Sequence, residues 1–79
     1  MTQIWIAAID HKHGTNLYAS ETETGLYQQL AEYCRDYWDQ DGPNEPIPSD
    51  DREIIKTYFD HQAEHGSEWH IVEKVELGN

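Results

Sequence analysis

The chain has 79 residues, 16 of them Asp or Glu against 5 Lys or Arg, for a formal net charge of -11. Such an excess opposes compaction through like-charge repulsion, yet three Trp, five Tyr and a clear apolar periodicity argue against the disordered class to which chains this acidic often belong. The same charge argues against direct binding of DNA or RNA and against docking on an anionic lipid surface, and the single cysteine, Cys34, excludes an internal disulfide framework and a Cys-based zinc site.

Residues 3–9 (Gln-Ile-Trp-Ile-Ala-Ala-Ile) read as a strand with two largely apolar faces, which places it centrally in a sheet. Residues 10–14 form a polar break in which Gly14 supplies the positive φ of a hairpin loop. A second strand follows over 15–20, with Leu17 and Ala19 on one face and Tyr18 on the other. Leu26, Tyr27, Leu30, Ala31, Cys34, Tyr37 and Trp38 then recur at three-and-four spacing and predict a helix with one apolar stripe. Thr22 or Thr24 caps it, Glu21 and Glu23 complement its dipole, and Gly25 sits near its start, where low helix propensity costs least. It stops before Asp41-Gly42-Pro43. The loop over 39–48 holds Pro43, Pro46 and Pro48, which make it stiff.

Ser49 is expected to start the second helix, with Asp50, Asp51 and Glu53 in its first turns. Ile54, Ile55, Tyr58, Phe59 and Ala63 make its buried stripe, and Gly66 ends it. A last strand over 68–77 carries Trp69, Ile71, Val75 and Leu77 on one face, interrupted by Glu73. Aromatic residues from Trp5 to Trp69 tie the whole chain into one domain over 1–79. The expected fold is α+β: a small two-layer β-β-α-α-β domain, a three-stranded antiparallel sheet with both helices on one face and residues 3–9 in the middle.

The acids are not evenly spread. Between Asp36 and Glu53 stand seven, Asp36, Asp39, Asp41, Glu45, Asp50, Asp51 and Glu53, with Arg52 the one base among them. Neighbours on a helix face lie roughly 5–6 Å apart, close to the spacing of successive phosphates on a DNA strand. Solubility asks for a net charge of only about 2 to 8 in a small domain. A rigid anionic surface of this kind suits a basic partner, and the commonest basic surfaces in a cell are those that bind nucleic acid. The plain alternative is that Asp50, Asp51 and Glu53 complement a helix dipole and the rest maintain solubility. Tyr37 or Trp38 supplies an aromatic anchor if exposed, and packs in the core otherwise.

Other chemistry is thin. His61 and His65 are four apart on one helix face, but His61-Gln62-Ala63-Glu64-His65 is not the His-Glu-x-x-His arrangement of metalloproteases. His65 beside Gly66 suits the negative end of a helix dipole, and His11 and His13 suit a pH-sensitive local hydrogen bond. Cys34 on an apolar stripe is expected to be inert, and Ser20, Ser49 and Ser67 carry no motif. No catalytic residue, metal ligand or cofactor is assigned. The N-terminus has no basic-then-apolar leader and no apolar run approaches roughly 18 residues, so the expected setting is the cytoplasm.

With the tract Asp36 to Glu53, the His11-Lys12-His13-Gly14-Thr15 hairpin and the compact β-β-α-α-β layout, the chain resembles the small acidic DNA-mimic proteins of phages and mobile elements, and among them the anti-CRISPR proteins directed at type I surveillance complexes. These share no common fold or signature, so no residue carries over. The resemblance implies a mechanism, occupation of the basic site on a Cas protein that reads target DNA beside its PAM. The resemblance then implies a bacterial host cell as the setting and, as the partner, a basic nucleic-acid-binding protein, a Cas subunit of a type I effector, contacted through the seven acids. Two other readings stand beside it: an accessory or antitoxin-like interaction module of a mobile element, contacting its partner through an apolar patch, and a small metal-binding protein using His61 and His65.

Overall fold

The computed structural model describes residues 2–78. Five elements follow one another: β1 (Thr2–His11), β2 (Gly14–Ser20), α1 (Glu23–Asp41), α2 (Asp51–His65) and β3 (Trp69–Leu77). The strands form one antiparallel sheet in the order β2-β1-β3, with the doubly apolar β1 central as its composition requires. Asp10 and His11 stay in the ladder, so the break expected over 10–14 shrinks to a turn at Lys12 and His13. Gly14 faces His11 across that turn with φ of 132°, a conformation that L side chains rarely adopt.

Strand alternation divides the molecule. Trp5, Ala7 and Ile9 of β1, Tyr18 of β2 and Val72 of β3 face the helices, and Ile9 is fully buried. Against them pack Leu26, Leu30 and Cys34 of α1 and Ile54 and Tyr58 of α2, all fully buried. The opposite parity faces away from both helices. Trp69, Ile71, Val75 and Leu77 do share a face, but it is this open one: Ala8 pairs with Ile71 and Ile6 with Glu73, while Val72 takes the helix side. Glu73 therefore interrupts no buried surface. The molecule is a slab 46 × 26 × 17 Å, two layers thick.

Thr22 caps α1, its Oγ1 accepting from the Gly25 N–H at 3.0 Å. The first position of α2 differs by one from expectation. Asp50 and not Ser49 is the cap, its Oδ2 accepting from the Glu53 N–H at 3.1 Å. A second correction concerns Ala63, which is exposed. The stripe continues instead through Gln62, 3% exposed, whose Nε2 donates to the Asp41 carbonyl at 2.6 Å and satisfies a backbone acceptor at the end of α1.

The helices run in the same direction. Arg52 lies over the Tyr27 ring, Tyr58 meets Tyr33 and Trp38, and Gln62 reaches Asp41. A parallel pair requires the connection over 42–50 to travel back along α1. Trp38 pins it, its indole N–H donating to the Glu45 carbonyl at 2.9 Å.

His70 is half-buried and stacked on Phe59, ring centroids 4.2 Å apart. Burial disfavours its charged form and lowers its pKa below the ordinary 6.5. The folded state then binds fewer protons than the unfolded chain, so stability present above the ordinary value is lost as pH falls through it toward the folded pKa. His70→Phe is expected to reduce the drop in urea midpoint between neutral and mildly acid buffer. Relief of carboxylate repulsion acts equally on both proteins, and an unchanged pH dependence in the variant would refute the assignment.

Candidate anionic interface

Dipole electrostatics sorts the acids into two groups. Asp50, Asp51 and Glu53 stand at the start of α2, where the positive end of the helix favours them. Asp50 caps that helix. Asp51 accepts a salt bridge from Arg35 at 2.8 Å. At the same end of the molecule Arg52 holds Glu23 at 2.6 Å. These residues have structural work to do, and two of the five bases are already committed to this end.

Asp39 and Asp41 occupy the last turn of α1, with Asp36 one turn earlier, and no base lies in that turn. Here the dipole is negative and each acid is unfavourable by about 0.3–1 kcal/mol. Helix stability gives no reason for them. Glu32, which the sequence reading passed over, joins them: at roughly 100° per residue, Glu32, Asp36 and Asp39 fall within about 60° of one another on the outer face of α1. All three are exposed. Their spacing of four and then three makes each a like-charge neighbour of the next, a further small destabilisation. The signal was legible as a period running N-terminal from Asp36, but a tract counted along the chain starts too late to include it.

The seven acids are not one patch. Because the connection runs back along α1, Asp50, Asp51 and Glu53 sit near its beginning, while Asp36, Asp39 and Asp41 sit near its end. Asp39 and Glu45 border one groove beside Pro43 and Pro46. Glu32 and Asp36 border another, against β2, with Tyr18 and Tyr37. Asp41 is half-buried on the opposite side of α1, in a cleft of about 110 Å³ with His11, His13, Tyr33 and Glu68. The two aromatic candidates separate cleanly: Trp38 is 4% exposed and Tyr37 is 40% exposed, lying on Tyr33 with centroids 4.8 Å apart.

The interior beneath this end is tied by a residue not singled out from the sequence. Glu68 Oε1 accepts from both the Tyr33 hydroxyl at 2.7 Å and the Tyr58 hydroxyl at 3.0 Å, joining α1, α2 and the start of β3. Burial, and then the Glu68 charge, raise both tyrosine pKa values above the ordinary 10.0. Cys34 is fully buried, and burial with the Glu68 charge pushes its thiol up to about 12, so the nucleophilic thiolate is suppressed.

The histidine pairs stay apart. His61 and His65 lie 5.1 Å apart by ring centroids on α2. In the hairpin, His11 Nδ1 accepts from the His13 N–H at 3.2 Å and His11 Nε2 lies 3.2 Å from Asn16 Oδ1. Among the described residues, no three His, Cys, Asp or Glu side chains gather to hold a metal ion, and no helix is long and apolar enough to cross a membrane. Comparison with protein-family models, curated proteins and solved structures finds no match to this chain.

Proposed function

We propose that the chain is a DNA-mimicking inhibitor that seats the outer face and C-terminal end of α1 in a basic nucleic-acid site, with the PAM-reading site of a type I CRISPR–Cas effector as the target. One observation carries the reading. Asp36 and Asp39 extend an exposed acidic row toward the helix end where such charges destabilise, with no base in the last turn. Charge kept against the stability of its own helix is charge kept for a partner. Tyr37, exposed between two grooves at that end, adds a rigid aromatic contact. Within the seven acids the contact set narrows to Asp36, Asp39 and Glu45, with Glu32 added; Asp41 lies half-buried on the other side of α1, and Asp50, Asp51 and Glu53 serve α2.

The test is competition between this protein and a PAM-bearing duplex for a purified type I effector. Four carboxylates replacing phosphates predict that inhibition weakens by on the order of 100-fold between 50 and 200 mM salt. Inhibition indifferent to salt, or binding that leaves the duplex in place, would overturn the reading. A second reading, an interaction module using an apolar surface, is favoured by the open sheet face.

A further inference from the structure

The uncovered sheet face is the largest feature that the anionic reading does not use. Five large apolar side chains are exposed in this layer: Ile6 at 38%, Leu17 at 79%, Trp69 at 56%, Ile71 at 47% and Leu77 at 50%. Their exposed surface comes to roughly 600 Å², the upper end of the largest patch on an ordinary monomer. Exposure here follows from topology and not from one stray residue. Both helices lie on the other side, and the alternation of all three strands sends these side chains the same way.

We infer that this face is the interface of a homodimer, two copies packed sheet to sheet. Three observations select a second copy over another occupant. The first is area: roughly 600 Å² from each of two copies gives roughly 1,200 Å², where specific stable interfaces begin. The second is shape. A hollow of about 420 Å³ is lined by Ile6, Ala8, Ala19 and Ile71, with Glu73 on its β3 side and Leu17 at its β2 side. Knob and hollow therefore occur on the same face, and a two-fold axis seats each Leu17 in the hollow of the other copy, the self-complementarity an isologous contact requires.

The third observation is charge. Twelve of the 16 acids fall between residues 21 and 64, the helical layer and its connections. On the open face the acids are Asp10, at the hairpin end and accepting from Thr15 Oγ1 at 3.1 Å, and Glu73, on edge strand β3. Asp10 lies at the rim, where interfaces are polar; Glu73 borders the hollow itself and is the charge that sheet-to-sheet packing has to accommodate. Packed sheets stand about 10 Å apart. The two acidic helical layers then point outward, separated by several times the roughly 8 Å over which charge is screened at physiological salt. A dimer of this kind buries the apolar face and leaves both acidic rows of α1 free.

The test is solution mass as a function of concentration and salt. Wild type is expected to sediment at twice 9.2 kDa, with Trp69 emission shifting to the blue as dimer forms. Added salt should tighten the dimer by screening repulsion between the copies, opposite in sign to its effect on a basic partner, so failure here and failure of the inhibitor reading are seen separately. Leu17→Asp, at a site already exposed, is expected to raise the dissociation constant at least about 100-fold, since each dimer carries the change twice. A wild type that stays monomeric to high concentration overturns the inference. So does a dimer that survives both Leu17→Asp and Ile71→Asp. Should either variant fail to fold, the wild-type mass decides alone.

Discussion

Changing Asp36, Asp39 and Glu45 together to lysine is expected to abolish inhibition of the nucleic-acid-binding partner while making the protein slightly more stable. Each reversal removes one attraction and installs one repulsion. At about 0.5–1 kcal/mol per exposed pair, three reversals amount to about 3–6 kcal/mol, a loss on the order of 10²–10⁴ in affinity. The stability change has the opposite sign. Asp39 stands in the last turn of α1, which carries no base, and a lysine there complements the dipole by about 0.3–1 kcal/mol.

The control is Asp50→Ala. It removes the cap that accepts from the Glu53 N–H and is expected to cost about 0.5–2 kcal/mol of stability with little effect on inhibition below the melting temperature. Competition titrations and urea midpoints on both variants distinguish charge used for a partner from charge used for the fold. Equal loss of inhibition in the two would mean that total charge matters and the α1 row does not.

Alkaline unfolding is the second large effect. Tyr33 and Tyr58 both donate to Glu68 Oε1, and both titrate above the ordinary 10.0 when folded. Above that value the unfolded chain loses these protons and the folded chain keeps them. The unfolded state then binds fewer protons, so stability falls as pH rises. Two such groups contribute a slope of about 2.7 kcal/mol per pH unit. A domain with about 5 kcal/mol of stability is therefore expected to unfold within roughly two units above pH 10.

Tyrosinate absorbance from these two residues should appear together with loss of near-ultraviolet circular dichroism. Tyr33→Phe should halve the steepness of the transition, at a cost of about 0.5–1.5 kcal/mol at neutral pH for the lost hydrogen bond. Full tyrosinate absorbance from a protein that is still folded would refute the buried network.

Much of the fold was legible because its signals are local. The apolar periods of α1 and α2, the Thr22 cap, the positive φ at Gly14 and the doubly apolar β1 each depend on residues a few positions apart. The errors were also local in scale. Asp50 displaced Ser49 because either side chain can accept at a helix start. Gln62 displaced Ala63 because composition favours burying the alanine, while only the neighbouring end of α1 supplies the carbonyl that makes a buried glutamine satisfied.

Element order, the antiparallel sheet with β1 at its centre and the size of the negative charge all follow from residue types and local spacing. Packing in three dimensions sets how that charge is distributed. The two helices run in the same direction, so the connection over 42–50 doubles back and a run of seven acids along the chain becomes two separated groups. It also decides which face of β3 is covered: period-two alternation says that Trp69, Ile71, Val75 and Leu77 lie together, but not on which side the helices pack. Glu68 shows the same limit. Its two tyrosine partners stand 35 and 10 residues away, and no local pattern announces a contact that only the packing of three elements brings within hydrogen-bond distance.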